Sequence, residues 1–318
     1  MARAIPARTV GMAKTATAAK TNGRAVRRQR HRSRQKAAWL FTAPALLAYA
    51  VFVLYPMGLT IQYSLYDWDG VGPSTWVGLD NYAQVFTDPE LLDTIFHAFE
   101  LILYFCAVPV VLGLAIANTI RGIATTRLAL AARTVVFVPQ VIPLVAAGIT
   151  WSWLLASDGL VNQVLSAVGL DGVTRAWLGD FGTALPAVGV IGAWVLLGLC
   201  TLLLLAGMSK IDPTLYEAAR IDGAGPLREF FSITVPSLRQ EIGVCVTVTV
   251  IAALASFDII YISTQGGPGN STMVPGLQIY RLAFFSREVG LASALAVVLM
   301  VLVLACVLPI QRLTREAR

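Results

Sequence analysis

The sequence predicts an all-α membrane protein with six transmembrane helices. Three observations predict it. Hydrophobic residues make up 57% of the 318 and charged residues only 13%, against about 25% charged in soluble domains. The few charges fall between six apolar stretches, and a helix needs roughly 20 apolar residues to cross a bilayer core. The positive charges also alternate in abundance from one connecting segment to the next. Helices meet their own backbone hydrogen bonds in lipid, and the alternating pattern of a barrel strand is absent.

Residues 1–36 come first. They are polar, rich in Ala and Thr, and hold eleven of the 24 Lys/Arg with no acid before Asp67. Without hydrophobic periodicity they read as a disordered basic tail. A secretory signal would have an apolar core of about 7–15 residues. The run from Ala37 to Tyr66 is about twice that, so an uncleaved first span fits better.

The predicted spans are Ala38–Ser64, Leu101–Ile120, Thr134–Ser157, Phe181–Ser209, Ile242–Thr264 and Leu291–Gln311. Residues 37–318 thus form one membrane domain. Pro56, Pro109, Pro139 and Pro143 fall within or beside these spans. Membrane helices tolerate such kinks where neighbours or cavity water meet the freed carbonyls. The prolines suggest a bundle around a path, or plain structural kinks.

Charge sets the orientation. Counting alternate segments, 21 of the 24 Lys/Arg fall on one side and three on the other. The positive-inside rule makes the rich side cytoplasmic. Both termini then lie in the cytoplasm, as an even number of spans requires. The net charge of +6 reflects this placement rather than a nucleic-acid-binding surface. Membrane lipid is the implied neighbour.

Several chemistries are excluded. Cys106, Cys200, Cys245 and Cys306 lie in separate apolar stretches with no CxxC pair, so they read as packing residues. There are two histidines, one in the basic tail, and no catalytic constellation is predicted. No Gly-Lys pair occurs, so the chain has no phosphate-binding loop of the usual kind.

The segment 210–239, cytoplasmic by the charge count, differs from the rest. Asp212 is a good N-cap and Pro213 suits the first helical position. Gly223 suits a helix C′ position, which needs positive φ, and Pro226 can start a second short helix. A helix–turn–helix on the membrane face is predicted. Its small patch at Ala218–Ala219, with Glu217 at the rim, can fit a groove on a partner. An amphipathic loop resting on lipid headgroups is the alternative.

These residues carry a family resemblance. Glu217-Ala218-Ala219, then Gly223, then Ile233-x-Val235-Pro236 is similar to the EAA loop of ABC importer permeases, with Val235 in place of the usual Leu. Phe41-Thr-Ala-Pro-Ala-Leu-Leu, Val77-Gly-Leu-Asp-Asn-Tyr82, Gly266-Gly-Pro-Gly-Asn-Ser-Thr272 and Ala292-Ser-Ala-Leu-Ala296 resemble sugar permeases of the maltose and glycerol-3-phosphate type. The resemblance covers about residues 38–315 and departs at Gln265. It implies a permease subunit, not an enzyme, in the inner membrane of a bacterium. The implied partners are a second permease subunit, an ATPase dimer carrying the ATP and Mg²⁺, and an extracytoplasmic solute-binding protein. Glu217, Ala218, Ala219, Asp222 and Gly223 are then the ATPase-coupling site, and the cargo is a sugar or sugar derivative.

For the substrate path, Asp258 stands out as an acid inside an apolar stretch, where ionisable groups are costly and often functional. Trp194, Ser256, Phe257 and Tyr261 join it, because aromatic faces and hydroxyls suit a sugar. Each also has a bland reading as a packing or interface residue. His97 and Glu100 precede the second span and read as solvated. The rival functional reading is a self-sufficient secondary transporter, which often shows internal repeats. No clear repeat relates the two halves.

Overall fold

A computed structural model describes residues 41–123 and 127–314. The predicted tail, 1–36, lies outside the described residues. Among the described residues four helices are long and apolar enough to cross a membrane: Phe41–Tyr63, Pro89–Gly122, Ala184–Met208 and Val289–Thr314. Two bent pairs join them, Arg127–Val141 with Leu144–Leu154, and Pro226–Ser237 with Arg239–Leu254. Counting each bent pair as one span gives six. In chain order these are the first to sixth spans.

Contacts divide the chain into Met1–Leu59 and Thr60–Arg318. In the first unit the apolar window of the first span has none of its residues buried within the chain. The second unit holds the buried core. There the second and fourth spans meet through Leu101, Phe105, Val188 and Ile191, all buried. The contact depends on small residues: a Cβ on Gly192 would lie 2.0 Å from the Phe105 ring, and one on Gly189 2.4 Å from Tyr104. Close helix approach through glycine is the usual device where lipid supplies no hydrophobic drive. Gly198 does the same for the third span, whose Val136 carbonyl would sit 2.4 Å from an added Cβ.

Prolines explain part of the helix geometry. A proline ring clashes with the carbonyl four residues earlier, and a wide π turn relieves that crowding. π turns at Ala50–Leu54, Leu103–Ala107 and Phe230–Thr234 each end two residues before a proline, at Pro56, Pro109 and Pro236. Pro139 sits within a helix and Pro143 at the N-cap of the next, where the third span bends by 99°.

The second and fifth spans differ from expectation. The second helix begins at Pro89, capped by Asp88 accepting from the Glu90 N–H at 2.8 Å, and runs through the acids that suggested a loop. The fifth span stops at Leu254, and a separate short helix, Asp258–Ser263, follows. Asp258 therefore opens a helix instead of interrupting one, a position that favours an acid.

Between the first two spans a two-residue ladder, β1 (Tyr66–Asp67) with β2 (Thr75–Trp76), is held by Asn81, which donates to the carbonyls of Ser64 and Tyr66.

Candidate functional site

The loop between the fourth and fifth spans folds as its residues dictate. The Asp212 carboxylate accepts the Thr214 N–H at 3.0 Å, which holds its pKa below the usual carboxylate value. Pro213 opens the helix Pro213–Ile221. The helix closes with Gly223 N–H donating to the Arg220 carbonyl at 3.0 Å and Ala224 N–H to the Ala219 carbonyl at 2.8 Å. That paired closure requires a left-handed residue, and Gly223 has φ +79°. Pro226 starts the second helix after Gly225 as N-cap.

Side chains then tie the two helices together. The Tyr216 hydroxyl and Thr234 Oγ1 lie 2.9 Å apart, both residues buried. Arg220 donates through Nε to Glu229 Oε1 at 2.8 Å and through Nη2 to Oε2 at 3.3 Å. Lys210 pairs with Glu241 at the start of the fifth span, at 3.2 Å. Helical spacing puts Leu215, Ala218, Ala219 and Asp222 on a face apart from Tyr216 and Arg220. Leu215, Glu217, Ala218 and Asp222 are exposed and Ala219 is half-buried. Ile221, Leu227 and Phe231 are exposed as well. The predicted coupling residues thus sit together on a short helix that is fastened along one side and open along the other.

A second constellation lies within the bundle, where the breaks of the third and fifth spans meet. A cavity of about 440 Å³ is lined by Phe105, Gln140, Pro143, Ser256, Phe257 and Asp258 among others. This lies within the range of small-ligand sites. Buried polar atoms are nearly always hydrogen-bonded, yet Gln140 Oε1 and Ser256 Oγ have no hydrogen-bond partner among the described residues. Phe257 stacks on Tyr261 with ring centres 5.2 Å apart, and Tyr280 meets both edge-on.

Of the five predicted path residues, the structure brings Ser256, Phe257 and Asp258 to the cavity wall. Tyr261 stands behind Phe257. Trp194 instead packs edge-on against Trp151, 5.6 Å away, and is not among the lining residues. Gln140 and Phe105 line the cavity without having been singled out. A glutamine between two prolines in an apolar stretch was the available signal for Gln140. His97 is also not simply solvated: its Nδ1 lies 2.8 Å from the Met273 carbonyl. Among the described residues no group of three or more His, Cys, Asp or Glu could hold a metal ion.

Residues 109–313 match the family described as binding-protein-dependent transport system inner membrane component. The chain is 35% identical to the probable ABC transporter permease protein YurN of Bacillus subtilis over 84% of its length and 92% of that protein's. It is 34% identical to the diacetylchitobiose uptake system permease protein NgcF of Streptomyces coelicolor, over 86% and 82%. The trehalose/maltose transport system permease protein MalF of Thermococcus litoralis is also 34% identical, over 85% and 90%. Among solved structures, a bacterial ABC transporter involved in the import of alginate superposes with a TM-score of 0.76, at 24% identity over 92% of this chain and 99% of that one. The same kind of transporter in complex with a pentasaccharide-bound periplasmic protein gives 0.73, over 89% and 95%. At that identity the likeness is one of fold.

Proposed function

The chain belongs to the family of binding-protein-dependent transport system inner membrane components, and we propose that it moves a sugar or sugar derivative inward as one of two permease subunits. It is a multi-pass membrane transport component. ATP is bound and hydrolysed on separate ATPase subunits with their Mg²⁺, and an extracytoplasmic binding protein delivers the solute. Both termini and the loop 210–239 face the cytoplasm, in keeping with the charge distribution.

The observation that carries this reading is the loop helix Pro213–Ile221. Its Tyr216 and Arg220 are tied to the second loop helix, while Leu215, Glu217 and Ala218 stay exposed. A partner that grips the open side can move the loop as one body. Glu217, Ala218, Ala219, Asp222 and Gly223 form this coupling site. Ser256, Phe257, Asp258 and Gln140 form the solute path, with Tyr261 in support. The sugars in the relatives' names support the cargo class. Aromatic faces beside polar atoms suit it chemically, because a sugar has apolar C–H faces and polar edges. The first span, apolar along its length, suits contact with lipid.

The test is gentle purification of the tagged protein from its native membrane, with mass spectrometry of what accompanies it. An ATPase and a second six-span subunit are expected. Recovery of the chain alone, with solute uptake into liposomes in the absence of ATP, would replace this reading with a secondary transporter.

A further inference from the structure

The loop helix has one more attachment, and it leads into the bundle. The second span ends in Asn118, Arg121 and Gly122, and the Arg121 guanidinium lies over the Tyr216 ring, with its Cζ 4.2 Å from the ring centre. Beside this contact is a cavity of about 460 Å³, with Arg121 and Gly122 on one side and Arg220, Pro226 and Glu229 on the other. Along this cavity the span end and the loop are separated by open space, and the stacked pair bridges them. Tyr216 is buried, and its hydroxyl is held by Thr234. One ring therefore touches the second span through its face and the second loop helix through its oxygen.

Both routes lead to the solute cavity. The helix that carries Arg121 contributes Phe105 to the cavity wall, and the fifth span, which continues from the loop, contributes Ala252. Ala255 and Ser256, just past the end of that span, line the wall as well. We propose that Arg121 is a positioning residue that locks the second span to the loop through Tyr216, so that a stroke delivered to the loop moves two walls of the cavity together. This rests on the coupling reading of the loop. Arginine suits the task because its planar cation stacks on an aromatic face, whereas lysine is a compact, strongly hydrated charge.

The test uses the complete complex in lipid nanodiscs, with native cysteines replaced and spin labels at the exposed positions Leu112 and Leu215. Distances are read without nucleotide and after trapping with ATP and vanadate. With Arg121 present, one narrow distance distribution is expected in both states. R121Q should broaden it and shift it on trapping, and R121K should fail to restore it. Y216F, which keeps the ring, should stay narrow, whereas Y216L should match R121Q. The R121Q/Y216L double variant should be no worse than either single one. An unchanged distribution in R121Q, or full restoration by R121K, would overturn the proposal and leave Arg121 a plain interfacial anchor. Failure of R121Q to assemble would equally overturn it, by making Arg121 a folding residue. A photo-crosslinker at Leu215 separates the two readings. Absence of a crosslink to the ATPase in the unsubstituted complex would remove the coupling reading itself.

Discussion

The loop 210–239 and the cavity at the span breaks are both polar islands in an apolar chain, and they treat their polar groups in opposite ways. In the loop Asp212, Tyr216, Arg220 and Lys210 each have a protein partner. At the cavity Gln140 Oε1 and Ser256 Oγ have none among the described residues. A satisfied network specifies one arrangement and resists deformation. Unmet polar atoms cost free energy in the empty protein and recover it when a ligand supplies the bonds. On the proposed function, the first region holds its own shape and the second receives the solute.

The contrast breaks most decisively at Gly223. A Cβ there would meet nothing within 4 Å, but the residue has φ +79°, so replacement tests backbone conformation alone. Left-handed backbone costs a side-chain-bearing residue about 1–2 kcal/mol, and a β-branched one more. G223V should abolish most solute uptake while membrane levels stay normal, and G223A should lose less. Equal uptake by wild type and G223V would end the view of the loop as a fixed lever.

A general packing defect should look different. G198A drives a methyl group against the backbone carbonyl of Val136, which cannot swing aside. Overpacking of this kind costs about 1–3 kcal/mol. The expected result is a lower thermal midpoint of the detergent-solubilised complex, with uptake falling in proportion to the protein remaining. A normal midpoint would show that the third and fourth spans slide freely.

The cavity predicts opposite signs for stability and uptake. Q140L and S256A each remove an unpartnered buried polar atom. The empty protein should be as stable as wild type or more so. The apparent KM for uptake should rise about 3–10-fold, the worth of one hydrogen bond of roughly 0.5–1.5 kcal/mol. Coupling to ATP hydrolysis should be unaffected. A fall in stability with unchanged KM would make these residues structural.

The smallest effect belongs to Asp212. The Thr214 N–H lowers its pKa, so the cap is complete above the ordinary carboxylate value of about 4. It is lost only as pH falls through the lowered one. D212N should cap nearly as well as Asp at neutral pH, and D212A should loosen the helix start slightly, as read by amide exchange at Thr214.

Much of this was legible in the sequence, for a physical reason. Length and apolarity mark a membrane helix, so each predicted span overlaps a helix or bent helix pair long and apolar enough to cross a membrane. The start of the second, set by the Asp88 cap, and the end of the fifth at Leu254 were missed. The loop was readable residue by residue because Asp212, Pro213, Gly223 and Pro226 each act on their own backbone. The cavity was harder to read. The fifth span breaks after Leu254 within a run that has no Gly or Pro, and tertiary contacts decide such a break. Trp194 looked like a path residue by chemistry, but its ring is spent on Trp151. Gln140 was overlooked because its significance lies in what fails to touch it.

The π turn at Leu103–Ala107 has a consequence for how this chain can change in length. The helix Pro89–Gly122 carries His97, bound to the Met273 carbonyl, on one side of the turn and Arg121 on the other. Each residue of an α-helix advances the face by about 100°. Deleting one residue from the turn would restore a regular helix, but it would rotate Arg121 away from Tyr216 or His97 away from Met273. The bulge therefore acts as a register lock. Substitutions along this helix are tolerated one by one according to their packing, whereas the interval from His97 to Arg121 cannot gain or lose a single residue without unfastening one end.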